Sequence, residues 1–281
     1  MEVTKAVITA AGPHQRKLPL QTLIDKNGVE KAFLEFLVEE VLAAGISDIC
    51  IIINPGDEEA YRQVIDEYVH TITFIPQKQT LGYGQALSCA KDFVGNDPFL
   101  HLVGDHLYVY KGEGSSAKQL VEFAIKNNCA VSAVQSTREG LIPNFGVIGG
   151  KRVQGANDIY VVERVIEKPT PTQAEQELLV PGLRAGYYLC FFGMHVLTPS
   201  VMDLLIKELS ANEKVSLSVA LNILAQNEQY LALEINELRY DLGEKYGLFK
   251  AQLALALYGN ERDRILTEIL ELFVSNNQMK R

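Results

Sequence analysis

Up to residue 105 the chain alternates short apolar runs with amphipathic ones, and this rhythm restricts the fold more than any single residue does. The runs at 5–10, 47–53, 71–75 and 98–103 are rich in Ile, Val and Leu and too short for buried helices, which marks them as strands. Between them, 31–44, 57–68 and 83–93 carry apolar residues at helical spacing. The stretch from Lys31 is the clearest of these, with acids on one side, a broad apolar face and Gly45 as its stop. A β-α-β-α-β-α-β order places strands side by side in parallel, with helices on both faces.

The rhythm continues less regularly. Strands are expected at 129–135, 145–149, 158–166, 186–193 and 230–235, and helices at 115–127, 199–209, 215–227, 245–257 and 260–275. The fold class predicted is α/β, with a Rossmann-like, mixed but mostly parallel sheet flanked by helices. In the last helix Ile265, Leu266, Ile269, Leu270 and Phe273 share one face, which must bury against the domain or another subunit.

Composition narrows the partners. With 281 residues, 47% of them hydrophobic, the chain can bury a large core, and a disordered reading is excluded. Net charge is −9 without a long basic run, which argues against a nucleic acid polymer as partner. Cys50, Cys89, Cys129 and Cys190 lie far apart in apolar runs, so buried free thiols are expected rather than a zinc site. Neither a signal-like segment nor a membrane-length apolar run is found, and the expected location is cytoplasmic, with no membrane partner.

Several loops carry candidate chemistry. Strand 5–10 runs into Ala10, Ala11 and Gly12, a turn that can aim N–H groups at phosphate, with Arg16 beyond it to neutralise charge. Taken alone, one glycine after a strand is only a turn. From Ile75 to Ala86 the chain supplies Gln77, whose amide can both donate to and accept from a pyrimidine edge, and the glycines Gly82 and Gly84. Asp105 ends a buried strand, where ligand sites of open sheets lie, and can hold a cation between phosphates. Glu167-Lys168-Pro169 ends another strand, its acid and base on alternate faces. Asp241, in Arg239-Tyr-Asp-Leu-Gly243, can meet Asp105 at one ion. His106 reads as a hydrogen-bonding wall, and His101 and His195 as core or strand-surface residues.

Together these motifs resemble the sugar-1-phosphate nucleotidyltransferases, from Val7 to about Ala254. Ala10-Ala11-Gly12, Arg16 and Leu18-Pro19 stand in register with the G-x-G-T-R signature, but His14 and Gln15 replace its second glycine and threonine. Gln77 to Gly84 matches the uridylyltransferase branch, Val165 to Pro169 matches V-x-E-K-P, and the run from Tyr240 matches Y-D-x-G. Asn144 to Ile148 and Tyr187 to Pro199 are similar to the family's sugar-site strands.

The resemblance implies transfer of a nucleotidyl group from a nucleoside triphosphate (UTP) to a sugar 1-phosphate, giving UDP-glucose or a related product. It implies Mg²⁺ on Asp105 and Asp241. Nucleotide contacts would come from Ala10, Ala11, Gly12, Gln77 and Gly82, and sugar contacts from Gly146, Glu167 and Gly193. Arg16, Lys168 and Lys26 would be the catalytic cations. The lysine position depends on where a short deletion is set: an ungapped count gives Lys26, which equally reads as a surface turn, and an early deletion gives Gln21 or a neighbour. On this reading 1–110 is the nucleotide-binding part and 111–255 the sugar-phosphate part of one domain, 256–281 is an appended helix, and a homo-oligomer is possible. Two alternatives stand beside it, a dTTP-using homologue and a nucleotide-sugar-binding protein without turnover.

Overall fold

The computed structural model describes residues 1–12, 16–212 and 214–278, so His14 and Gln15 lie outside the described residues. The first part of the chain forms β1 (Lys5–Thr9), a β2–β3 ribbon (Thr22–Ile24 and Glu30–Ala32), α1 (Phe33–Ala43), β4 (Asp48–Ile53), α2 (Glu58–Val64) and β5 (Ile72–Pro76). It continues with α3 (Tyr83–Ser88), α4 (Lys91–Val94), β6 (Phe99–Val103) and β7 (His106–Val109). Next come α5 (Ser116–Asn127), β8 (Ala130–Arg138), β9 (Gly146–Arg152), β10 (Ile159–Glu167), α6 (Pro171–Glu177) and β11 (Tyr187–Leu197). The last elements are α7 (Ser200–Ala211), α8 (Leu217–Asn227), β12 (Tyr230–Glu234), β13 (Leu238–Asp241), α9 (Gly247–Leu257) and α10 (Arg262–Gln278).

Nine strands make one sheet in the order β5-β4-β1-β6-β11-β8-β12-β10-β9. From β5 to β6 all neighbours are parallel, as the alternating first part of the sequence predicts. Beyond β6 the expectation of a mostly parallel sheet fails. β11 runs antiparallel to β6, β8 and β9, and β10 runs antiparallel to β12 and β9, leaving β8–β12 as the one further parallel pair. The cause is the connections. A parallel neighbour needs a crossover, usually helical, whereas β9 and β10 are joined by a short turn and must pair antiparallel.

The core explains why the first strands are apolar throughout. Ala6 and Ile8 of β1 and Ile49, Ile51 and Ile53 of β4 pack with Phe33, Leu34 and Leu120 from α1 and α5. The alternate residues Val7, Cys50 and Ile52 pack with Leu87, Val201, Leu205 and Leu221 from α3, α7 and α8. Both faces are covered, so neither set can be polar. All four cysteines are free, and Cys50, Cys129 and Cys190 are buried as expected, whereas Cys89 is half-buried.

Other differences are local. The helix expected at 57–68 ends at Val64 and passes into a 3₁₀ segment, Asp66–Thr71. The one expected at 83–93 is interrupted between Ser88 and Lys91. A small ribbon, β7 against β13, and the short α6 had no signal strong enough to be read. Among the described residues, no helix is long and apolar enough to cross a membrane.

Candidate active site

A cavity of about 560 Å³ opens where the ends of β1, β5, β6, β10 and β13 converge with the bend in β11. Ala11, Gly12, Gln77, Gly82, Asp105, Gly146, Glu167, Lys168, Gly193 and Asp241 all line it, brought together from separate stretches of chain. Ala10 lies just behind, its N–H donating to the Ile52 carbonyl at 2.8 Å.

The loop after β5 is anchored at its root by the Gln77 N–H, which donates to the Ile53 carbonyl at 2.8 Å. The Gln77 side chain is buried, with the residue only 4% exposed. Its Nε2 donates to Gln85 Oε1 at 2.6 Å and to the Gly82 carbonyl at 3.3 Å. Both amide hydrogens are therefore used within the protein, and Oε1 remains as the acceptor available to a ligand. The segment before α8 straps this loop down, with the Gly84 N–H donating to the Val215 carbonyl at 3.0 Å. A side chain at Gly84 would begin 2.5 Å from that carbonyl oxygen, so only glycine allows the approach.

The carboxylates meet through the β7–β13 ribbon. Its register sets Asp241 directly opposite His106, next in sequence to Asp105. The Leu242 N–H closes the pair by donating to the Asp105 carbonyl at 2.8 Å. Ligand atoms of Asp105, His106 and Asp241 all lie within 4.8 Å of one another. Adjacent ligand atoms on one divalent ion with bonds near 2.1 Å stand about 3 Å apart and opposite ones about 4.2 Å. Two partly exposed carboxylates at this spacing fit such an ion, with room left for water or phosphate oxygens.

Strand alternation predicts opposite faces for Glu167 and Lys168. The structure overturns this, since both line the cavity. Lys168 has φ +49°, a left-handed conformation that breaks the alternation where the strand ends. Its N–H still donates to the Phe145 carbonyl at 2.9 Å, prolonging the β9–β10 ladder by one bond. Ser218 donates to Glu167 Oε2 and orients that carboxylate.

Gly193 sits at an irregularity in β11, where pairing with β8 stops at Phe191 and resumes at His195. Its φ of +92° is the bend itself, and its carbonyl accepts from Tyr108 Oη at 2.7 Å. Arg239 supports the same bend from beneath, donating to the Phe191 carbonyl, with its guanidinium 4.2 Å from the centre of the Phe145 ring. Burial lowers the pKa of this guanidinium.

Two expected cations stand elsewhere. Arg16 forms an ion pair with Asp57, Nε donating to Oδ2 at 2.9 Å, and does not line the cavity. Lys26 occupies the β2–β3 turn, where Asp25 Oδ1 accepts the N–H groups of Asn27 and Val29 at 2.8 and 2.9 Å, so the surface-turn reading describes it. Lys26 Nζ donates to the Tyr110 carbonyl beside a separate cavity under α10, and burial lowers its pKa.

Sequence reasoning missed Thr80, Tyr83, Lys214, Ser216 and Ser218, which also line the cavity. Lys214 makes no hydrogen bond or ion pair with the described residues. Two serines flanking Leu217 after a lysine were the available signal, and it does not differ from an ordinary helix start. Beneath the cavity the Tyr83 hydroxyl donates to His101 Nε2, whose Nδ1–H donates to the Val7 carbonyl at 2.9 Å. The His101 and His195 rings stack 5.9 Å apart, both buried as the core reading anticipates. Burial pushes His101 down to about 4 and His195 well below its ordinary value.

The cavity at the end of the sheet gathers a buried glutamine, a pair of carboxylates and a Glu-Lys pair. The chain belongs to the nucleotidyl transferase family, whose model matches residues 5–257. Among its relatives is UTP–glucose-1-phosphate uridylyltransferase 1 of Streptococcus pyogenes serotype M3, 30% identical over 286 residues, covering 91% of this chain and 90% of that protein. Uridylyltransferase 2 of the same serotype is 30% identical over 302 residues, with 96% of each chain covered. A UTP-bound UGPase from Acinetobacter baumannii shares the fold at a TM-score of 0.75 and 22% identity, covering 96% of this chain and 100% of that one. A UDP-glucose pyrophosphorylase complexed with UDP-glucose does so at 0.73 and 22%, covering 90% and 98%.

Proposed function

We propose that this chain is a uridylyltransferase that makes UDP-glucose and pyrophosphate from UTP and glucose 1-phosphate. The observation that carries this reading is the convergence of Gln77, Asp105, Asp241, Glu167 and Lys168 on one cavity, in a chain 30% identical to enzymes of that name over nearly its whole length. A phosphate oxygen of glucose 1-phosphate attacks the α-phosphorus of UTP, the bond from that phosphorus to the bridging oxygen breaks, and pyrophosphate leaves. Asp105 and Asp241 would hold a divalent cation, which would supply charge neutralisation across the phosphates.

The chain's own work is positioning and electrostatics. Gln77 Oε1 accepts the N3–H of uracil, and an acceptor at that position rejects cytosine, whose N3 carries no hydrogen. Thymine presents the same edge, so dTTP is the competing triphosphate. Glu167, fixed by Ser218, takes sugar hydroxyl groups. Lys168 faces phosphate oxygens, and Arg16 would join it on leaving Asp57. Residues 1–110 form the nucleotide part and 111–255 the sugar-phosphate part, in a Rossmann-like arrangement, and 256–281 are appended to them, with α10 over Arg262–Gln278.

Pyrophosphate release from UTP, dTTP and CTP with a panel of sugar 1-phosphates tests the reading. Release is expected with UTP and glucose 1-phosphate, less with dTTP and none with CTP. Binding of UTP or UDP-glucose without release would replace it with a nucleotide-sugar-binding protein.

A further inference from the structure

The pair Asp105 and Asp241 comes with a third potential ligand, and that ligand is nitrogen. His106 lines the same cavity, its side chain 12% exposed, facing Asp241 across the β7–β13 ribbon. Directly opposed residues of an antiparallel pair project to one face with Cβ atoms about 5 Å apart, so the ribbon itself sets the imidazole beside the carboxylate of Asp241. Its Nδ1 lies 2.6 Å from Asp105 Oδ1. That is a hydrogen bond, about 0.4 Å shorter than the roughly 3 Å between neighbouring ligand atoms on one ion. The ring has only to draw back slightly for all three groups, whose ligand atoms lie within 4.8 Å of one another, to share one.

The geometry points to His106 as a third metal ligand, giving a two-carboxylate, one-imidazole site that selects a first-row transition-metal dication such as Mn²⁺ over Mg²⁺. The proposal rests on the reading that Asp105 and Asp241 hold the ion. Oxygen-only ligand sets suit Mg²⁺, which demands near-octahedral geometry and sheds water reluctantly. An imidazole nitrogen shifts the balance toward the first-row transition metals, most for the later ones; Mn²⁺, which shares much of the oxygen preference of Mg²⁺, shows the smallest shift and serves here as the spectroscopic probe. Three protein ligands leave up to three positions for phosphate oxygens and water.

The test is metal binding, measured without turnover. Mn²⁺ is titrated into the protein and followed by electron paramagnetic resonance, with and without UTP and with no sugar phosphate present. Pulsed spectra of the bound ion should carry the modulation of a coordinated imidazole ¹⁴N, and competition with Mg²⁺ should show Mn²⁺ preferred. His106→Asn should remove the modulation and weaken Mn²⁺ binding about tenfold or more, the scale of losing even an outer-sphere partner. His106→Asp restores an oxygen donor and should narrow the Mn²⁺ to Mg²⁺ preference. Wild-type spectra without nitrogen modulation, or equal preference ratios in the wild type and both variants, would overturn the inference. If nitrogen is coordinated and yet no triphosphate releases pyrophosphate with any sugar 1-phosphate, the metal site stands and the enzymatic reading falls. If turnover proceeds with an ion that shows no nitrogen ligand, the enzymatic reading stands and the role given to His106 falls.

Discussion

Lys168 joins backbone conformation to charge. A lysine held at φ +49° costs about 1–3 kcal/mol that an extended strand end would not, and the return is an ammonium beside Glu167 in the cavity. In the proposed reaction its attraction to the phosphates would grow as negative charge shifts in the transition state. Lys168→Ala should therefore lower kcat about 10²-fold or more with a much smaller change in UTP affinity, on the scale of one preorganised donor. Steady-state kinetics beside equilibrium UTP binding measures both, and an unchanged kcat would remove Lys168 from the mechanism. Gln77 is the corresponding test of base reading. Gln77→Glu loses the donors to Gln85 and Gly82 and sets like acceptors against each other, so UTP binding should weaken by about 1–3 kcal/mol. Titration calorimetry with UTP measures this directly, and an unaltered affinity would take Gln77 out of the base pocket.

At the scale of elements, the strap before α8 does what no local pattern announces. Its Val215 carbonyl holds the first turn of α3 at Gly84, and Ser218, in the first turn of α8 just beyond it, reaches Glu167 at the end of β10. Gly84→Ala brings a methyl to 2.5 Å from the Val215 carbonyl oxygen, so loop and strap must part. Overpacking of this kind costs about 1–3 kcal/mol. We expect a lower midpoint of unfolding in urea and a raised KM for UTP, and a variant matching wild type in both would show that the strap holds nothing in place. These contacts also mark the boundary of what the sequence makes legible. The parallel strands and their helices are written in apolar periodicity, because both faces are buried. Asp105, Gln77 and Glu167 are legible because they follow strands and sit in recognisable strings. The β7–β13 ribbon, the left-handed turn at Lys168 and the pairing of Arg16 with Asp57 depend on contacts between distant segments, and periodicity is blind to those. Lys26 illustrates the limit: the string Asp-Lys-Asn-Gly is legible as a turn, but counting residues from a signature carries it to a cavity that it does not line.

For the molecule as a whole, the buried histidines tie stability to pH. His101 is pushed down to about 4 and His195 lies well below its ordinary value, so both stay neutral in the folded protein. Between pH 6.5 and about 4 the unfolded chain binds protons that the folded one does not, and stability is lost as pH falls through that window. From pH 7 to pH 5, His101 alone should remove about 2 kcal/mol. Because Glu40, its pKa raised by burial, works in the opposite direction, the check is urea unfolding of the wild type and His101→Gln at the two values, and equal pH dependence in both would show that His101 titrates normally. The sheet has a consequence of another kind. Because β6 and β11 are hydrogen-bonded neighbours, the two ends of the cavity, proposed to take the nucleotide and the sugar, sit on one continuous sheet. Substrates cannot be enclosed by two lobes swinging together, so capture must fall to the loops around Thr80 and Lys214. Deuterium uptake should slow in those two segments when UTP binds, while the amides of β6 and β11 exchange at the same slow rate with or without it.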